Sequence, residues 1–243
     1  MIPWLEAHDP FPPLSAAQSG GLLAASGDLT PFRLLDAYHK GVFPWFSAGD
    51  PVLWWSPDPR AVLFPDEFRL SRSLRRTLRR GDFCVRLDTA FSQVMDACAS
   101  VPRPGQDDTW ITADIKSAYG ALHQAGRAHS VETWRVDADG GKTLIGGLYG
   151  VAIGRMFYGE SMFAHSADAS KIAFAHLIRY LRQHRFGLLD CQVRTRHLVS
   201  LGAREIPRPE FIERLSRLTQ ADLPPGLWPE EGAAQPWRDE ALA

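Results

Sequence analysis

The sequence predicts an α+β fold around a mostly antiparallel sheet, and three observations carry that prediction. Strand-like segments separated by turn signals recur from residue 129 to residue 163, a long amphipathic segment follows over 168–184, and an apolar strand-like segment runs over 186–193. Successive hairpins followed by a helix and one more strand are the pattern of a sheet covered by helices. The 243 residues are 45% hydrophobic, enough for a substantial core in one large domain or two unequal ones.

Taken in order, Thr30 and Pro31 form an N-cap and first-turn pair, a helical pattern runs to about Lys40, and Gly41 supplies the stop. The stretches Gly41-Val-Phe-Pro-Trp-Phe46 and Leu53-Trp-Trp-Ser-Pro-Asp-Pro-Arg60 hold prolines too densely for long regular elements. A boundary near Arg60 separates a small N-terminal domain, 1–60, from a larger one, 61–243. Ser71 to Arg80 reads as a short helix capped by Ser71 and ended by Gly81, with Leu74 and Leu78 turned inward. A second helix fits Thr112 to Gln124. His129–Val136, Thr143–Ile153 and Arg155–Phe163 alternate and are β-branched as strands are, and Asp-Ala-Asp-Gly-Gly and Ile-Gly-Arg mark the turns between them. Arg208 to Leu218 closes the chain as a helix.

Three cysteines, Cys84, Cys98 and Cys191, have no paired spacing, which points away from a disulfide framework or a zinc knuckle and towards a reducing compartment. Met1 to Pro13 lacks the basic and apolar stretches of a signal peptide, and no apolar run reaches the roughly 18 residues of a membrane span. A soluble, cytoplasmic protein is expected. The formal net charge of −1 argues against coating nucleic acid through bulk charge, yet six arginines and no acid fall between Arg69 and Arg80. The rest of the chain then carries 21 basic and 28 acidic residues. Unpaired like charges on one helix repel, so this face implies a polyanion partner in preference to an ordinary solvated surface.

Gly141-Lys142-Thr143 resembles the end of a phosphate-binding loop, but the first glycine of that motif would fall at Val136, so it reads as a hairpin turn. The eight histidines are scattered, without metal-ligand or triad spacing. Trp45 lies beside Pro44, Trp54 and Trp55 adjoin each other before Ser56, and Trp110 follows Thr109; each indole can stack on a base or fill a core. Asp190 and Gln192 share parity in Phe-Gly-Leu-Leu-Asp-Cys-Gln-Val and would face one side of a strand. A buried carboxylate and amide are either satisfied structurally or placed to meet a substrate. Glu160, beside Gly159, presents the same choice.

Together these segments resemble the leucyl/phenylalanyl-tRNA–protein transferase family from about Gly20 to Arg208. The resemblance rests on Gly-Asp-Leu-Thr-Pro at 27–31, Gly-Val-Phe-Pro-Trp-Phe at 41–46, Leu-Trp-Trp-Ser-Pro-Asp-Pro-Arg at 53–60, Thr-Trp-Ile at 109–111, Gly-Gly-Leu-Tyr-Gly-Val-Ala at 146–152, Gly-Glu-Ser-Met-Phe at 159–163, Ala-Ser-Lys at 169–171, Asp-Cys-Gln at 190–192 and Ser-Leu-Gly-Ala at 200–203. It implies a small N-terminal domain joined to a GNAT-like acyltransferase domain. Asp190 and Gln192 match its catalytic pair, and Trp45 and Trp110 match aromatics near the terminal adenosine of the aminoacyl-tRNA. Tyr38, Tyr119 and Glu160 match further site positions, and Leu148, Phe157, Met162 and Leu189 match an apolar pocket for the transferred side chain. The tail after Pro209 matches least.

The resemblance implies donors Leu-tRNA and Phe-tRNA, with Met also transferred, and acceptors beginning with Arg or Lys that are thereby marked for N-degron degradation. No cofactor, metal or membrane is implied. Arg72, Arg75, Arg76, Arg79 and Arg80 would meet tRNA phosphates, and Glu160 or Asp58 would meet the basic acceptor. Such a reaction needs no strong base, because an α-amine titrates at about 7.7–8.0 and is partly neutral near pH 7. Approximation and orientation can supply roughly 7–11 kcal/mol. In this expectation Asp190 orients Gln192 by a hydrogen bond, so that the Gln192 side-chain carbonyl can accept from the amine. An acyl-CoA-dependent N-acetyltransferase would need a phosphate-cradling Arg/Gln-x-x-Gly-x-Gly/Ala loop that the chain lacks. A non-catalytic RNA-binding protein leaves Asp190, Gln192 and Glu160 unexplained.

Overall fold

The computed structural model describes residues 2–101, 109–137, 140–220, 228 and 232–233. In chain order the elements are β1 (Trp4–Leu5), β2 (Leu22–Ser26), α1 (Pro31–His39), β3 (Phe43–Pro44), β4 (Val52–Trp55), β5 (Arg60–Leu63), α2 (Arg72–Arg80), β6 (Phe83–Leu87), α3 (Phe91–Ser100), α4 (Ala113–Gln124), β7 (Ala128–Val136), β8 (Lys142–Ile153), β9 (Met156–Ala164), α5 (Ala169–Gln183), β10 (Leu188–Gln192), α6 (Arg196–Ser200), β11 (Arg204–Ile206), α7 (Arg208–Thr219) and β12 (Gly232–Ala233). The caps read from the sequence form as side-chain hydrogen bonds: Thr30 accepts from the Arg33 N–H, Ser71 from Leu74 and Thr112 from Ile115. Gly41 and Gly81, where α1 and α2 stop, have φ of 74° and 68°, a region that favours glycine. The turn expected at 137–141 lies partly outside the described residues.

The strands form two sheets, with order β1-β2-β4-β3 and β11-β5-β10-β9-β8-β7-β6-β12. Both are mixed, which corrects the expectation of a mostly antiparallel architecture: β1 runs parallel to β2, and β10 runs parallel to β9. The second case has a direct cause. The fifteen-residue helix α5 joins β9 to β10, and a helical crossover returns the chain to the same end of the sheet, so the two strands must point the same way.

The large sheet is buried on both faces. Alternate residues of its central strands divide between two apolar clusters, as a period of two requires. Tyr158 and Leu188 join α1, α3, α4 and α7 on one face, and Phe157 and Leu189 join α2 and α5 on the other. The first cluster continues through Tyr38, Phe43 and Trp54 of the N-terminal segment. The aromatic wall of β9 depends on a glycine: a Cβ at Gly150 would lie 2.5 Å from Phe157 Cε1.

Candidate active site

The centre of the large sheet opens into a cavity of about 340 Å³. Leu148 on β8, Phe157 and Met162 on β9 and Leu189 on β10 all line it, with Phe174 and Leu177 from α5. Three of the four residues expected to form an apolar pocket are fully buried, and Met162 is half-buried. Trp45 and Trp110 line the same cavity. Trp45 is 39% exposed and Trp110 8%, so one indole is available at the surface while the other is part of the wall. Trp45 is held through its own carbonyl, which accepts from Trp55 Nε1 at 2.7 Å, and the two rings lie 5.8 Å apart.

Glu160 and Gln192 belong to the same lining, alongside the polar side chains of Ser161, Thr195 and His197. The Gln192 Nε2 donates to Glu160 Oε1 at 3.2 Å. With the nitrogen so engaged, the Gln192 side-chain oxygen is left for other donors. Tyr38 and Tyr119 stand behind Glu160, outside the lining. Their hydroxyls donate to its two oxygens at 2.7 and 3.0 Å and also touch each other. Burial raises both phenols well above their usual range, with the Glu160 charge adding to the effect. Burial also pushes Glu160 from 4.5 up to about 7, against the lowering effect of the three donors, because charge is costly where water is excluded.

Asp190 is hydrogen-bonded to Gln192 through the latter's backbone. Its side chain is fully buried outside the cavity lining, and its Oδ1 accepts at 2.8 Å from the backbone N–H of Gln192, not from that residue's amide. The strand-parity reading requires correction, since Gln192 has φ 62° and the pairing register with β5 shifts between Asp190 and Gln192. The left-handed residue and the irregularity re-aim the side chain. Arg60 completes this corner, donating to Asp190 from Nε at 2.8 Å and from Nη2 at 2.6 Å. Sequence reasoning found Arg60 as part of a motif and a boundary but not as a site residue. The available signal was an unpaired acid in an apolar strand, which demanded a cation somewhere in the chain.

Of the two acids considered for a basic acceptor, Glu160 lines the cavity, whereas Asp58 is exposed and caps the start of α7 by accepting from the Arg208 N–H at 3.0 Å. Arg72, Arg75, Arg76, Arg79 and Arg80 are exposed on α2, while Leu74 and Leu78 anchor that helix in the cluster shared with Leu148, Phe157 and Leu189. Arg80 pairs with Asp82 at 2.9 Å. Arg72, Arg75 and Arg76 form no ion pair among the described residues. No group of three or more potential metal ligands occurs among the described residues, and no helix among them is long and apolar enough to cross a membrane.

An apolar cavity that also carries an oriented amide and a carboxyl can recognise a side chain by shape and a polar group by hydrogen bonding. Family models described as leucyl/phenylalanyl-tRNA protein transferase and its N-terminal domain match residues 62–216 and 27–58. Proteins named leucyl/phenylalanyl-tRNA–protein transferase from Dechloromonas aromatica (strain RCB) and Nitrosospira multiformis are each 57% identical, over 94% of this chain and 96% of the first, and 90% of this chain and 92% of the second. One from Burkholderia pseudomallei (strain 668) is 54% identical over 94% of this chain and 90% of its own. A solved structure described as that of L-PGS from Bacillus licheniformis is 10% identical over 69% of this chain and 51% of its own, with a TM-score of 0.37, too low to carry an argument. The chain belongs to the leucyl/phenylalanyl-tRNA protein transferase family and is an aminoacyltransferase.

Proposed function

We propose that this protein transfers Leu or Phe, and also Met, from aminoacyl-tRNA to the N-terminal Arg or Lys of acceptor proteins, forming the peptide bond of an N-degron. The observation that carries this reading is one cavity lined both by Leu148, Phe157, Met162 and Leu189 and by Glu160 and Gln192. An apolar side chain fits the first set. A cationic acceptor is complementary to the second.

In the reaction the acceptor nitrogen attacks the ester carbonyl, the C–N bond forms, the C–O bond to the ribose breaks, and the amine proton passes to the departing oxygen. Gln192 accepts from the amine and fixes its approach, an orienting role suited to a weakly basic amide. Its side-chain orientation comes from Glu160 and its backbone position from Asp190. Thus Asp190 acts through Gln192. Trp45 and Trp110 provide flat surfaces for the terminal adenosine, and the α2 arginines meet the tRNA backbone.

We also read residues 1–60 as a small N-terminal domain and 61–243 as a GNAT-like domain, a reading supported by the large sheet with helices on both faces. The protein would act in the cytoplasm, where charged tRNA is found. The test mixes the protein with labelled Phe-tRNA and an Arg-initiated peptide. Label should enter the peptide and not an otherwise identical Asp-initiated one. Equal labelling of both, or none, overturns the reading.

A further inference from the structure

Arg60 opens β5 and is 1% exposed. Nε and Nη2 form a two-pronged contact with Asp190 at 2.8 and 2.6 Å, and Nη1 donates to the Gly41 carbonyl at 3.1 Å. The Phe43 and Phe211 rings lie on it at 4.7 and 4.6 Å. One guanidinium therefore fixes the end of α1, β3, α7 and β10 around a single carboxylate. Removing two such charges from water is unfavourable, and well-packed apolar residues often serve stability as well or better. The geometry must be weighed by what else the pair holds.

It holds a strained residue. Gln192 has φ 62°, a conformation unfavourable for an L-residue, and its N–H is tied to Asp190 Oδ1 at 2.8 Å. The Asp side chain thus closes a turn on the residue two positions along. That turn exists only while the carboxylate stays in place, and the rigid fork of Arg60 determines where it stays. The same residue sends its side chain to Glu160 in the cavity lining.

We infer that Arg60 is a positioning residue for aminoacyl transfer: through Asp190 it holds the Gln192 backbone in its left-handed conformation and so aims the Gln192 amide into the cavity. The inference rests on the reading of Gln192 as the group that meets the acceptor amine.

The test is a double-mutant cycle. Arg60→Lys keeps the charge but loses the fork. A misplacement of about 1 Å can cost on the order of 100-fold in rate, so a single-turnover loss of about 10- to 100-fold is expected, with binding of Phe-tRNA changed less than about 3-fold. In a Gln192→Ala background the same substitution should cost less than about 2-fold, because nothing remains to be aimed. Equal losses in the two backgrounds overturn the inference, since an effect on overall structure ignores residue 192. If Arg60→Lys does not fold by its melting curve, Asp190→Asn replaces it. That variant retains an oxygen for the Gln192 N–H, and its effect should likewise vanish in the Gln192→Ala background. Full activity of Gln192→Ala alone would instead sink the reading of Gln192, an outcome distinct from additivity.

Discussion

Replacing Glu160 by Gln should make the protein more stable and less active at pH 8. A carboxyl raised from 4.5 to about 7 binds a proton in the folded state that the unfolded chain has released. Stability therefore falls as pH rises across that window, and the loss is complete above about 7. At about 1.4 kcal/mol for each pH unit the full effect is about 3 kcal/mol, of which roughly half is expected because solvent reaches this half-buried group through the cavity. A glutamine side chain reproduces the protonated pattern of one donor and one acceptor towards Tyr38, Tyr119 and Gln192, without the titration. With about 2–4 °C per kcal/mol for a chain of this size, Glu160→Gln should melt about 3–6 °C above the parent at pH 8 and level with it near pH 4. Loss of the negative charge removes a charge-assisted hydrogen bond, worth about 1.5–3 kcal/mol, so the KM for an Arg-initiated peptide should rise about 10- to 100-fold. Paired melting curves and peptide titrations read both effects. A melting difference independent of pH, or a variant less stable at pH 8, refutes the reasoning.

Three further outcomes are expected. Arg72, Arg75 and Arg76 replaced together by Ala should weaken tRNA binding and flatten its log-log salt dependence by about 0.7–0.9 for each phosphate no longer neutralised; an unchanged slope removes α2 from the interface. Asp190→Ala strands a buried arginine and should destabilise the protein by about 3–5 kcal/mol in denaturant titrations, while Gln192→Ala, whose side chain makes one hydrogen bond, should change stability far less. Met162→Ala should lower the preference for Leu over Trp in single-turnover transfer by roughly 10-fold or more, and an unaltered ranking of Leu, Phe, Met, Ile and Trp would place selectivity outside this wall.

What the sequence made legible follows the locality of each signal. Helices α1, α2 and α4 were visible because Thr30, Ser71 and Thr112 cap them within four residues, and β7 to β9 because alternation is a neighbour-to-neighbour property. Helix α3 was missed although Phe91, Val94, Met95 and Cys98 form its buried stripe, since Ala90 supplies no side-chain cap. The direction of β10 was hidden because it belongs to the α5 crossover and not to the strand. The apolar pocket residues came from the family resemblance, and the cavity lining brings them together. The partner of Asp190 lies 130 positions away, so the sequence could require a cation there without naming it. The left-handed Gln192 defeated strand parity because the turn is closed by a side chain, a contact that hydrophobic periodicity does not encode.

The proton count at Glu160 links site and acceptor. Both tyrosine hydroxyls donate to Glu160, yet burial pushes its carboxyl up to about 7, so near pH 7 the site by itself holds it partly protonated. A guanidinium or ammonium entering the cavity draws that proton off, because an opposite charge nearby favours the carboxylate. Binding an Arg-initiated peptide should then release a fraction of a proton near pH 7, and the heat measured by calorimetry should vary with the ionisation enthalpy of the buffer. In Glu160→Gln the buffer dependence should disappear. Proton release that persists in that variant would assign it to the peptide's own α-amine, which titrates at about 7.7–8.0, and would leave Glu160 ionised before the acceptor arrives.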